Sequence, residues 1–308
     1  MDNVRKIQKV WKSRATIEGA GVHLARAFGW DQVPRLDPFL LLDDFRSDNP
    51  DHYLKGFPWH PHRGIETITY VIDGDVQHGD SLGNGGVIQP GDVQWMTAGS
   101  GIIHQEMPKG DNKGVMGGFQ LWANLPASHK MMAPRYRDVK SAQIPEIILP
   151  NKARMRIICG KINGREGPVR DIVTDPEYMD VTVPAGANFT HPVRRGQNAL
   201  AYVIEGEAYF DNSRDAYDHE VIGTNYFDLK RSSLGKDKTL IHYGDGDSIS
   251  VTAGENGVRF LLISGRPIGE PVAWYGPIVM NTREELRLAF EEYQNGTFIK
   301  QGKGIDPS

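Results

Sequence analysis

Two short strings recur in this chain, in the same order. "YVIDGD" (70–75) returns as "YVIEGE" (202–207), an offset of 132, and "GDVQWMTAG" (91–99) returns as "GDSISVTAG" (246–254), an offset of 155. A repeat constrains a fold strongly, because each copy must be a unit that can be built twice. Both copies consist of short alternating or apolar runs ("ETITYVI", "ALAYVIEGEAYF", "VRFLLIS") broken by Gly, Pro, Asp and Asn. Such runs without helices between them predict an all-β chain of sandwiches or barrels. The 35 glycines and 19 prolines, spread over 308 residues, supply the turns. The two offsets differ by 23, which predicts a loop of that many extra residues in the polar stretch 211–238.

A chain of this length suits two domains. The expected division is 1–135, a linker over 136–152, a second domain over 153–281, and a helix with its tail over 282–308. "TREELRLAFEEYQNG" is the one convincing helix. Thr282 and Glu285 have capping-box spacing, and Gly296 stops the helix. Leu286, Phe290 and Tyr293 fall at i, i+4 and i+7 and predict a docking face.

The net charge of −4 offers no basic field, so direct nucleic-acid binding is disfavoured. Cys159 is the only cysteine, which excludes an intramolecular disulfide and a cysteine zinc site. In "RMRIICGKI" it reads as a small buried hydrophobe. "MDNVRKIQKVWKSR" lacks a signal-like apolar stretch, and no run is long enough to span a bilayer. A soluble, cytoplasmic protein without membrane contact is expected, so the sequons at Asn188 and Asn295 carry no weight.

Chemistry concentrates in "HPHRGIETITY" (60–70) and "GIIHQEMP" (101–108). On a strand, residues i and i+2 share a face, so His60 and His62 point the same way, as do His104 and Glu106. Antiparallel pairing of the two strands would bring three imidazoles and one carboxylate together. That set leaves about two of six octahedral positions open and suits Fe(II), Mn, Co, Ni or Cu better than structural zinc. The repeat supplies a control. Under the two offsets the four positions become Pro192, Arg194, Arg259 and Leu261, none a ligand of the same type, which predicts a metal in the first copy alone.

The remaining candidates are weaker. His23, His52, His78, His129, His191, His219 and His242 are scattered without partners. "SLGNGG" (81–86) precedes no helix and reads as a hairpin. Trp95, Met96, Met107, Phe119 and Trp122 read as core, with some available to wall an apolar pocket. No G-x-S-x-G nucleophile motif occurs.

The stretches "DPFLLLDDF" (37–45), "HPHRGIETITYVIDGDVQHGDS" (60–81) and "GDVQWMTAGSGIIHQEMP" (91–108) closely resemble the pirin family. The resemblance implies two tandem cupin (jelly-roll-like) barrels, the N-terminal one metal-binding and the C-terminal one degenerate. It implies that His60, His62, His104 and Glu106 bind one divalent metal per chain, Fe2+ first. Glu66 stands where many metallocupins place a ligand, in strand parity with the histidines unless Gly64 breaks it, and is an alternate ligand or supports the ligands from behind, or else is a hydrogen-bonded core acid. The implied activity is a flavonol dioxygenase of the quercetin 2,3-dioxygenase type, with Glu106 accepting the substrate's proton. The implied substrate is a flavonol or another chelating small molecule. The resemblance also implies an alternative, an iron-binding, redox-sensitive regulator whose protein partners are transcription factors or metabolic enzymes.

Overall fold

Ile65–Asp73 is rich in β-branched and aromatic residues, the composition that favours a pleated, buried strand. In the computed structural model, which describes residues 3–214 and 233–300, it lies in the middle of a seven-stranded sheet. The order is Arg135–Val139, Val93–Thr97, Ile65–Asp73, Gly117–Asn124, Phe39–Asp44, Val22–Phe28 and Arg14–Glu18. A four-stranded sheet runs Phe57–His62, Ile102–Lys109, Asp75–Asp80 and Gly85–Ile88. The stretch read as a hairpin does join Asp75–Asp80 to Gly85–Ile88. These sheets belong to one compact unit, residues 15–143 with 268–308.

The other unit comprises residues 1–14 and 144–267. Its main sheet runs Ile7–Lys12, Thr239–Tyr243, Asn198–Tyr209, Ser248–Gly265, Glu177–Val183, Arg154–Cys159 and Glu146–Ile148. It reproduces the first unit's sheet strand for strand. The first repeat is real at the level of backbone geometry: Gly74 and Gly206 have φ of 71° and 70°, and Gly64 and Gly196 have 78° and 75°.

The second string match does not mark equivalent strands. Val93–Thr97 flanks Ile65–Asp73, and the strand that flanks Asn198–Tyr209 in its place is Thr239–Tyr243, not Ser248–Thr252. The first half of Ser248–Gly265 pairs with Asn188–Pro192, as Ile102–Lys109 pairs with Phe57–His62. His104 opposes His60, and Ile249 opposes His191; Pro108 opposes Val76, and Ala253 opposes Ala208. By pairing, the counterparts of His60, His62, His104 and Glu106 are therefore His191, Val193, Ile249 and Val251, not Pro192, Arg194, Arg259 and Leu261. Both strings share a Gly-Asp turn and an apolar run, and that local chemistry recurs on different strands. Trp95 now matches His242, an offset of 147, so the second copy is about 15 rather than 23 residues longer there. Most of that stretch, 215–232 with His219, lies outside the described residues.

Chain order and compact units differ at both ends. Ile7–Lys12 pairs with Thr239–Tyr243, so the N-terminus serves the second barrel, and the C-terminal segment from 268 serves the first. The expected linker is partly strand, with Arg135–Val139 in one sheet and Glu146–Ile148 in the other.

The second barrel is filled with apolar side chains, among them Phe189, Val193, Phe210, Ile249, Val251 and Phe260. Cys159 is buried there, its thiol directed at the carbonyls of Val169 and Pro176. The α-helix spans Arg283–Gln294 with the expected Thr282–Glu285 capping box. Its docking face centres on Ala289, fully buried, with Leu286 and Phe290 half-buried. Tyr293 is 38% exposed and only borders that face.

Candidate metal centre

Antiparallel pairing of Phe57–His62 with Ile102–Lys109 sets His60 opposite His104 and His62 opposite Ile102. The side chains of His60, His62 and His104 converge, with one ligand atom from each lying within 4.8 Å of the others. His60 Nδ1 donates to the Pro58 carbonyl at 2.8 Å and His62 Nδ1 to the Pro277 carbonyl at 3.0 Å. A carbonyl only accepts, so each Nδ1 carries the proton and each Nε2 presents a lone pair. The two Nε2 atoms are 3.0 Å apart. Bare lone pairs at that distance repel unless a cation lies between them. Metal–nitrogen bonds of about 2.1 Å meeting at a right angle separate their nitrogens by about 3.0 Å, whereas a tetrahedral angle would need about 3.4 Å.

Burial lowers the pKa of all three imidazoles; those of His62 and His104 fall well below the ordinary value, and there neighbouring imidazoles add to the effect. All three are thus neutral, the form that ligates. His104 Nε2 is buried without a hydrogen-bond partner. The donor set fits a divalent transition metal with open positions.

Glu106 is buried on the same face as His104 but lies outside the three-histidine group. Its Oε1 accepts from Thr69 Oγ1 at 2.6 Å and its Oε2 from Gln120 Nε2 at 2.7 Å. The Gln120 amide is itself oriented by Trp122 Nε1, 3.2 Å from its oxygen. Glu66 does not join the cluster. It accepts from Thr97 Oγ1 at 2.6 Å, and strand alternation puts it on the face opposite Thr67 and Thr69. Gly64 intervenes between His62 and Glu66, and its left-handed conformation breaks the parity that the spacing suggested.

Several participants come from strands remote in sequence. Pro277 orients His62 from 215 residues away. His78, one of the scattered histidines, faces Glu106 across a strand pair and meets the Tyr136 hydroxyl at 2.6 Å. Its position on Asp75–Asp80, two residues from Asp80 and in phase with Val76, was the one available signal. Trp95 and Phe119 are core as expected, while Trp122 stands edge-on to His62, ring centroids 5.1 Å apart.

A cavity of about 720 Å³ reaches His60 and His62. Trp30, Trp59, Trp122, Trp274 and Tyr275 line it, with Gln120 beside them. The volume is in the range of small-molecule sites, and the aromatic walls suit a flat apolar ligand.

Two jelly-roll barrels in one chain, one lined by convergent histidines and the other filled with apolar residues, define a bicupin whose histidine cluster, among the described residues, lies in the first barrel. The family model for pirin matches residues 21–123 and that for the pirin C-terminal cupin domain matches 178–299. The chain belongs to the pirin family. It is 43% identical over 296 residues to a pirin-like protein of Caulobacter vibrioides, covering 96% of this chain and 99% of that one. Human pirin is 36% identical over 299 residues, with 96% and 94% covered. A crystal structure of quercetin 2,3-dioxygenase from Acinetobacter baumannii superposes with a TM-score of 0.82 at 30% identity, covering 96% of this chain and 98% of that one.

Proposed function

We propose that the chain is a metal-dependent dioxygenase acting on flavonols such as quercetin, with one divalent metal, Fe2+ ahead of Mn, Co, Ni or Cu, in the first barrel. The observation that carries this reading is the aromatic cavity of about 720 Å³ that reaches His60 and His62. A regulator needs a surface; a flavonol oxygenase needs a cavity of this kind. His60, His62 and His104 would hold the metal, and Glu106 would complete the ligand set. When bound, the metal supplies a Lewis acid that draws in a chelating substrate and favours its deprotonated form.

The chain's own residues account for the remaining steps. Glu106 takes the proton of the flavonol's 3-hydroxyl. Thr69 and Gln120 each engage one of its oxygens, and each oxygen keeps one lone pair, so that one oxygen would serve the metal and the other the proton. Their hydrogen bonds hold the carboxylate in place through the transfer. Trp122 and Trp274, ring centroids 5.9 Å apart, offer faces for a planar substrate and keep water from the reacting atoms.

The test is elemental analysis of the purified protein, then quercetin consumption by metal-loaded protein with and without O₂. Oxygen-dependent consumption that disappears with chelation is expected. Loaded protein that neither binds nor consumes any flavonol overturns the reading.

A further inference from the structure

Among the residues lining the cavity, Arg26 is the one lysine or arginine. It is not a loose surface side chain. Its Nε and Nη2 donate to the two oxygens of Asp43 at 2.8 and 2.7 Å, and Nη2 also lies 2.9 Å from Glu18 Oε1. The Asp43 side chain is 8% exposed and that of Arg26 21%. Fork-to-fork pairing with a nearly buried carboxylate fixes the plane of the guanidinium. Nη1 is left with two N–H groups and no protein partner among the described residues.

The location of that free edge matters. Arg26 opposes Asp43, and Asp43 opposes Gln120, whose amide holds Glu106. Arg26 therefore stands two strand spacings, roughly 10 Å, from the strand that carries Gln120. Arg26, His60 and His62 line the same cavity, along which a three-ring flavonol chelating a metal held by the histidines would extend.

We propose that Arg26 is a specificity-determining residue, whose Nη1 hydrogen-bonds an oxygen on the ring of a planar polyphenol remote from its chelating pair. The inference rests on the flavonol reading and narrows it. The carboxylates of Asp43 and Glu18 balance the guanidinium charge, so the recognised group is a phenol or carbonyl oxygen rather than a carboxylate or phosphate. The preferred substrate class is hydroxylated flavonols over the unsubstituted 3-hydroxyflavone.

The probes are quercetin and 3-hydroxyflavone, which share the chelating 3-hydroxy-4-keto pair and differ in their remote hydroxyls. Affinities are read from quenching of tryptophan fluorescence in metal-loaded protein without O₂. Because removing Arg26 alone strands Asp43, the variant is the double change Arg26→Met with Asp43→Asn, which removes both charges together, and Arg26→Lys is the conservative control. Wild type should favour quercetin over 3-hydroxyflavone. The double variant should lose about 10- to 100-fold in quercetin affinity, the usual range for a hydrogen bond to a charged group, with 3-hydroxyflavone affinity and metal content unchanged. Arg26→Lys should recover part of the preference. Equal losses for both flavonols, or none, overturn the assignment while leaving the dioxygenase reading in place. Failure of wild type to bind either flavonol removes both.

Discussion

Arg63 Nη1 donates to Glu292 Oε2 across 2.7 Å, tying the residue after His62 to the C-terminal helix. Arg63 is almost wholly buried, its Nη2 reaches the Phe298 carbonyl at 2.8 Å, and its guanidinium lies 4.2 Å from the centre of the Phe298 ring. Beside it, Gly64 lets the helix-bearing segment approach: a Cβ there would lie 1.9 Å from the Val279 carbonyl oxygen. Removing Glu292 leaves a buried cation short of its partner. Glu292→Ala should cost about 1–3 kcal/mol in chemical denaturation and weaken metal retention, with Glu292→Gln recovering part of both. Unchanged stability and metal content would show that the helix is not coupled to the histidine strand.

Metal stoichiometry should be one per chain. His62→Ala and His104→Ala should each abolish or greatly weaken metal uptake while circular dichroism stays that of a folded β protein. Unlike a zinc finger, the first barrel has its own apolar clusters and ladder hydrogen bonds. The second barrel retains a single imidazole at the matching positions. That residue, His191, lies 3.3 Å from Glu177 Oε2 beside apolar neighbours. Two equivalents of tightly bound metal by elemental analysis would contradict the account.

Glu106→Gln tests the proton acceptor. The amide can still accept from Gln120 and can donate to Thr69, so the fold should persist and three histidines should retain metal, more weakly. Quercetin turnover per bound metal should fall by roughly 10²–10⁴-fold, the range for loss of a general base. Equal turnover per metal in the two proteins would remove Glu106 from that role.

Lys130 should make stability depend on pH. It is buried, and its ammonium donates to Gly64 O, Asn124 Oδ1 and Val279 O at 2.7–3.0 Å. Burial pulls its pKa from 10.5 down to about 7, against the opposing pull of Glu270 and Glu285. Between those values the unfolded chain binds more protons than the folded one, so this residue's contribution to stability rises with pH across the window. Below about pH 7 the cost of burying the charge is fully present. Urea denaturation at pH 6, 7.5 and 9 should show the wild type gaining on Lys130→Met as pH rises. A constant difference would mean that Lys130 keeps its proton throughout.

Period-two placement carried most of the candidate site: one H-x-H and one H-x-E pair needed only strand alternation and one antiparallel register to bring three imidazoles together. The "YVIDGD" match was equally reliable, because its glycine marks a backbone conformation that both barrels need. The second string misled because resemblance in a turn and a few apolar residues does not specify a pairing partner. Long-range contacts left no local trace. The Pro277 carbonyl, Gln120 at Glu106 and the pairing of Ile7–Lys12 with Thr239–Tyr243 depend on segments far apart in the chain. Glu66 had suitable spacing, but a single left-handed glycine turned it to the other face.

The exchange of end segments has a consequence for biogenesis. As the chain leaves the ribosome, Ile7–Lys12 emerges well ahead of its partner Thr239–Tyr243, which follows more than 200 residues later. Residues 15–143 emerge early but must wait for 268–300 to cover the histidine strand. The second barrel's sheet lacks one edge strand pairing until Thr239–Tyr243 is made, whereas the first barrel's two sheets are drawn wholly from residues 14–139 and lack only their covering segment. Such late, distant closure slows folding and leaves strand edges exposed to association in the meantime. A chain cut between the two barrels would therefore keep the first barrel's strands but leave its histidine strand without the segment that covers it.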